Sequence, residues 1–126
     1  MNLLLDTHTF LWAIGNPSNL SQRAREAIVD GNNIVFVSTA TAWEIAIKKE
    51  IGKLQIPEGD YLQELELHRF TPLNITTEHA LAVEHLPPHY KDPFDRMLIA
   101  QAQVEKLMLV TRDKRIKAYA VSLIEA

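Results

Sequence analysis

The sequence predicts an α/β fold, a three-layer α/β/α sandwich around a short, mainly parallel sheet. Three observations carry that expectation. Short apolar runs alternate with helical stretches along the chain, the pattern of parallel βαβ units. The runs are apolar on both faces, as strands covered by helices on both sides must be. No repeat, low-complexity tract or linker interrupts the alternation, so the 126 residues are read as one domain, 1–126.

The elements follow in order. Leu3, Leu4 and Leu5 make a buried strand over 2–5, and 7–14 is a helix ended near Gly15, Asn16 and Pro17. Ser21 caps a second helix, with Ala24, Ala27 and Ile28 on one face and Gly31 beyond it. IVFV at 34–37 is a strand made mostly of β-branched residues. Residues 39–51 are a helix in which Trp43, Ile47 and Ile51 recur at spacing four, with Gly52 as its C-cap. Trp12 and Trp43 are both read as core. Residues 60–68 form a short helix. FTPLNI at 70–75 is a strand or an extended segment, and Pro72 makes it an edge if it is a strand. Helices follow over 77–86, stopped by Pro87 and Pro88, and over 93–106. MLVT at 108–111 is a strand, 113–118 a turn of helix, and VSLI at 121–124 a last strand.

Composition narrows the function classes. Hydrophobic residues make up 47% and charged residues 23%, enough apolar material for one core without a staple. There is no cysteine, which excludes disulfides, thiolate nucleophiles and Cys-ligated metal centres. The start MNLLLDTH has no basic leader, and no segment approaches the length of a membrane span. A cytoplasmic protein with no membrane attachment is expected. The formal charge of −3 argues against nucleic acid when taken alone. Yet seven of the 13 basic residues fall in two clusters, Lys48, Lys49 and Lys53, then Arg112, Lys114, Arg115 and Lys117.

The acids carry more information. Ligands of a parallel α/β sheet bind beyond the carboxyl ends of its strands. Asp6 follows the first strand. Glu44 lies one to two turns into the helix after the second, and Asp113 two residues past MLVT. Asp92 and Asp95 occupy the first turn of a helix that runs back against the strands, so they reach the same edge. Carboxylates so clustered repel one another unless a cation is present. An all-oxygen donor set suits magnesium or manganese, and such an ion held by carboxylates hydrolyses phosphate esters with a metal-activated water.

Each acid also has a plainer reading. Asp92-Pro93-Phe94-Asp95 is a good helix start, Asp92 as N-cap and Asp95 at N3. Thr41-x-x-Glu44 matches a capping box, and Asp6 and Asp113 each precede a helical turn. Ser38 and Thr111 stand at strand ends, where they cap helices or bond a ligand carboxylate. His8 is read as a packed or surface imidazole.

LLLDTH at 3–8, STATAWEIAIKKEIGKL at 38–54, HYKDPFDRMLIAQA at 89–102 and LVTRD at 109–113 resemble a PIN domain, and closely the VapC-type toxins of type II toxin–antitoxin pairs. The resemblance runs from Leu3 to about Val121. It implies a PIN-like sandwich and a magnesium- or manganese-dependent endoribonuclease. Matched by motif, Asp6, Glu44, Asp95 and Asp113 are the four metal-site acids, with Asp92 accessory and expected to turn away from the site as a helix cap. In that light Lys48, Lys49, Lys53, Arg112 and Lys114 are candidate RNA-backbone contacts. The resemblance further implies a small antitoxin partner and a homodimer. Phe10, Leu11 and Ile14, with Tyr61, Leu62, Leu65 and Leu67, offer an apolar contact surface. Two other classes compete with this reading. A receiver-like phosphoacceptor domain expects paired acids after the first strand, where Asp6 stands alone, and an acid after a central strand, where 70–75 has none. A non-catalytic interaction module needs only the capping roles.

Overall fold

The computed structural model describes residues 1–52, 60–89 and 91–126. The strands are β1 (Asn2–Leu5), β2 (Ile34–Ser38), β3 (Thr71–Leu73), β4 (Met108–Thr111) and β5 (Ser122–Glu125). The helices are α1 (Thr7–Gly15), α2 (Gln22–Val29), α3 (Thr39–Glu50), α4 (Tyr61–Leu67), α5 (Thr77–Val83) and α6 (Pro93–Glu105). Short 3-10 turns at Pro17–Asn19 and Lys114–Ala118 complete the chain. The five strands form one sheet in the order β3-β2-β1-β4-β5, and every neighbouring pair is parallel. Pro72, which donates no ladder bond, indeed sits on an edge strand, opposite Val37.

The alternation of side chains along each strand builds two cores. Leu3 and Leu5 face one side with Val35, Val37 and Val110, and there meet Phe10, Ala24, Leu65 and Phe70. Leu4 and Leu109 face the other, against Leu98, Ile99, Ile116 and Tyr119. Leu3, Leu4 and Leu5 are wholly buried, because β1 is central and helices cover both faces. Arg96, on α6, fastens α5 to this layer: its guanidinium donates to the carbonyls of Pro87 (3.0 Å), Val83 (3.2 Å) and Leu86 (3.3 Å).

Two expectations need correction. Trp43 and Ile51 are not core: they are 59% and 58% exposed. The buried residues of α3 are Ala40, Thr41, Glu44 and Ile45. A stripe that contains a carboxylate does not show in apolar periodicity, and the apolar stripe beside it mimics an inner face. The supposed apolar contact surface is also divided. Phe10 and Leu65 are buried, while Leu62 and Leu67 point to solvent. Gly52 does end α3, in the left-handed conformation (φ 72°) that a glycine adopts without a Cβ clash. Lys53 lies outside the described residues.

Phe10 is fully buried, with Tyr61 at 5.3 Å and Phe70 at 6.1 Å between ring centroids. Phe10→Ala should therefore cost about 3–5 kcal/mol of stability in urea unfolding. Burial also pushes the Tyr61 phenol up to about 12. The unfolded chain ionises this group near its ordinary value of 10 and the folded chain holds its proton longer. Stability should thus fall as pH rises from 10 to 12, and Tyr61→Phe should remove this part of the alkaline loss.

Candidate active site

A cavity of about 190 Å³ opens at the carboxyl edge of the sheet, lined by Asp6, Glu44, Asp92, Asp95 and Asp113. Asp6 comes directly off the central strand and is 7% exposed. Its backbone still belongs to the sheet, donating to the Val110 carbonyl at 3.2 Å. Its side chain is held at both oxygens. Oδ1 accepts from the Thr9 amide (2.9 Å) and so caps α1, while Oδ2 accepts from the Thr111 hydroxyl (2.6 Å). Burying a carboxylate is costly unless such donors replace water. Capping and site-building are therefore not alternatives for this residue.

Glu44 is 4% exposed, and Ser38 rather than Thr41 caps its helix, through a bond from the Ala40 amide at 3.0 Å. The capping-box reading of Glu44 falls with that. Its carboxylate takes the Thr7 hydroxyl at Oε1 (2.6 Å) and Lys48, one turn on, at Oε2. Thr7 itself touches the Thr41 hydroxyl at 3.3 Å. Thr7 has a place in this site that sequence reasoning missed, since its position also suits the first residue of a helix. The Glu44–Lys48 spacing of four was the available signal for the ion pair.

Asp92 caps α6 as expected, accepting from the Phe94 (2.9 Å) and Asp95 (3.1 Å) amides. It is not turned away, however. Both bonds fall on Oδ1, so the second oxygen is not spent on capping and the residue still lines the cavity. Asp113 caps the 3-10 turn through the Arg115 amide (3.0 Å) and is gripped by the Arg115 guanidinium at 3.1 and 2.9 Å. Thr111 joins two of the acids: its oxygen accepts from the Asp113 amide at 3.1 Å and its hydroxyl donates to Asp6.

The basic residues separate. Lys48, Arg112 and Arg115 line the cavity. Lys114 borders a neighbouring groove with Lys117, and Lys49 is exposed in the last turn of α3. Ser38 is buried behind the site as a cap and does not line it. Among the described residues no three acids or histidines stand together as a ready-made metal cluster. Lys48 and Arg115 instead balance part of the negative charge.

The sequence model of the PIN domain family matches residues 3–122. The chain belongs to the PIN domain family. A relative from Mycobacterium tuberculosis, Ribonuclease VapC22, is 32% identical over 120 residues, covering 93% of this chain and 91% of that protein. Among solved structures, VapBC2 from Rickettsia felis, crystallised with a DNA fragment from its promoter, has a chain that matches with a TM-score of 0.72 at 18% identity, covering 98% of both chains. DNA-bound VapBC from Salmonella typhimurium has one that matches at 0.68 and 20% identity, covering 99% of this chain and 97% of that one. At these identities the structures establish the fold, and this PIN domain has the flanking helices and short sheet expected of it, the sheet being parallel throughout rather than mainly so.

The capping role of Asp92 gives a prediction for this PIN domain. Asp92→Ala should lower unfolding free energy by about 1 kcal/mol in the absence of added metal, the usual loss for an N-cap. Denaturant titration of the two proteins measures it.

Proposed function

We propose that this PIN domain is a metal-dependent endoribonuclease and the toxin of a type II toxin–antitoxin pair. The observation that carries the reading is the convergence of five carboxylates, from four separate segments, on one cavity at the carboxyl edge. The ribonuclease relative supports the substrate class. A receiver-like or non-catalytic reading has no comparable support.

Asp6, Glu44, Asp95 and Asp113 are the residues we assign to hold a divalent cation, magnesium or manganese, with Asp92 accessory. Their chemistry fits: carboxylate oxygens are the ligands such hard cations take. When bound, the cation supplies charge neutralisation and water activation for phosphodiester hydrolysis. The chain's own residues do the rest. Thr111 and Thr9 fix Asp6, and Thr7 fixes Glu44, so two donors are oriented before anything binds. Lys48 compensates Glu44 in this structure. Its charge becomes available to an RNA phosphate once a cation takes over that task. Lys49 and Lys114 extend the basic margin for the RNA backbone.

The partners follow the same reading. A toxin–antitoxin complex from Klebsiella pneumoniae shares the fold, with a TM-score of 0.64. We assign this chain a small antitoxin partner and a homodimeric state. Among the described residues no helix is long and apolar enough to cross a membrane, and we place the protein in the cytoplasm.

The test is cleavage of single-stranded RNA with magnesium or with EDTA. Cleavage should need the metal, and Asp95→Asn should abolish it. The same substitution should leave stability without metal equal to or above that of the parent, because carboxylate repulsion is relieved. The parent should also gain about 2.7 kcal/mol at a magnesium concentration ~100 times the dissociation constant. Metal-independent cleavage, or an unaltered rate in Asp95→Asn, overturns the assignment.

A further inference from the structure

The charged lining of the cavity gives way on one side to an aromatic rim. His8 and Trp12 are one turn apart on α1, so their side chains leave the helix on one face. Both line the cavity with the carboxylates. Their ring centroids are 6.0 Å apart and the planes are tilted by 36°. Arg112 lies over the Trp12 ring, its guanidinium carbon 4.4 Å from the centroid. That guanidinium is tied down. Nε donates to the main-chain oxygen of Ala126 at 3.0 Å, and Nη2 donates to the same oxygen at 2.9 Å and to the Asn19 carbonyl. Trp12 is thereby held from behind, half-buried, while His8 is exposed and its ring makes no hydrogen bond to any described residue.

An aromatic pair at this spacing can serve merely to steady a helix surface. Its position argues for more. The rest of the lining offers carboxylates, the Thr7 hydroxyl and cations, which suit phosphates, metal ions and water. Of those groups only the guanidinium planes can stack on a nucleobase, and Arg112 is engaged by Trp12 and Arg115 by Asp113, whereas the imidazole and the indole offer flat faces at the rim. Single-stranded RNA is held elsewhere by this combination of stacking surface and basic groove, with little dependence on base identity. Arg112 is spent on carbonyls and on Trp12, so its role here is to brace the stack rather than to grip a phosphate.

We propose that His8 and Trp12 form a nucleobase-stacking subsite on the rim of the carboxylate cavity, seating a base of single-stranded RNA beside the scissile phosphate. The proposal rests on the ribonuclease reading and adds to it the residues that take the base. Because the stack binds substrate and transition state alike, its loss should act on KM rather than kcat.

Steady-state cleavage of a short single-stranded RNA tests it, using the parent, His8→Ala, Trp12→Leu and Trp12→Phe. His8→Ala and Trp12→Leu should raise KM about tenfold, with kcat within about twofold, and Trp12→Phe should keep the parental KM. His8 is exposed, so His8→Ala carries the test if Trp12→Leu fails to fold. A second measurement reads the contact itself. The chain has two tryptophans, so Trp43→Phe leaves Trp12 as the sole indole. With calcium replacing magnesium, single-stranded RNA should quench its fluorescence, and an oligonucleotide of the same length made of abasic residues should not. Unchanged KM in His8→Ala, or equal quenching by the abasic chain, overturns the subsite while leaving the ribonuclease reading intact. A parent that neither cleaves nor binds RNA overturns both.

Discussion

A buried carboxylate at the end of the central strand governs the organisation of this molecule. Asp6 follows three leucines with no exposed surface, in a position where little of its carboxylate is left to water. It is tolerable because donors from two different elements converge on it, the Thr9 amide of α1 and the Thr111 hydroxyl of β4. Each donor fixes something else in turn. The amide bond starts α1 at the sheet edge, and the Thr9 hydroxyl donates back to the Val110 carbonyl at 3.1 Å. Thr111 links Asp6 to Asp113. Helix start, strand end and the alignment of two acids are thus one arrangement, and the parallel sheet aims all of it at a single edge.

The same economy recurs at the other acids. Asp92 and Asp113 each begin a helical turn, and each presents its carboxylate to the cavity as well. Helix N-termini favour negative charge, so placing acids there softens the repulsion that gathering them creates. Asp95 lies in the first turn of α6 without capping it, and Glu44 departs further. It sits inside α3, caps nothing, and relies on Thr7 and Lys48. The site is therefore a set of helix entrances brought to one place, with one carboxylate delivered from a helix side.

How far this was legible in the sequence depends on the kind of signal. Strand positions were legible because runs such as Leu3–Leu5 and Val35–Val37 are too apolar to lie anywhere but inside. The edge place of 71–73 could be read from Pro72, which lacks a ladder donor. The gathering of Asp6, Glu44, Asp92, Asp95 and Asp113 followed from the direction of the strands and of the helices that join them. Less legible was orientation. The apolar stripe of Trp43 and Ile51 mimics an inner face, and only the three-dimensional demand to bury Glu44 turns it outward. Thr7 could not be told from an ordinary first helical residue, and Phe10 was placed on a surface because its aromatic partners Tyr61 and Phe70 are distant in sequence. The 3-10 turn at Pro17–Asn19 left only Pro17 as a trace, read there as a helix stop.

Arg96 has a mechanical consequence. It is the residue after Asp95, and its guanidinium holds the last carbonyl of α5 and those of Leu86 and Pro87 in the turn beyond it, with the Tyr119 hydroxyl sharing the Pro87 carbonyl at 2.9 Å. The first turn of α6 and the end of α5 are thereby clamped into one lever. α5 is thus tied to α6 at two levels, by Arg96 beside the turn that carries Asp92 and Asp95 and by His79, which bonds Glu105 at 2.9 Å near the other end of α6.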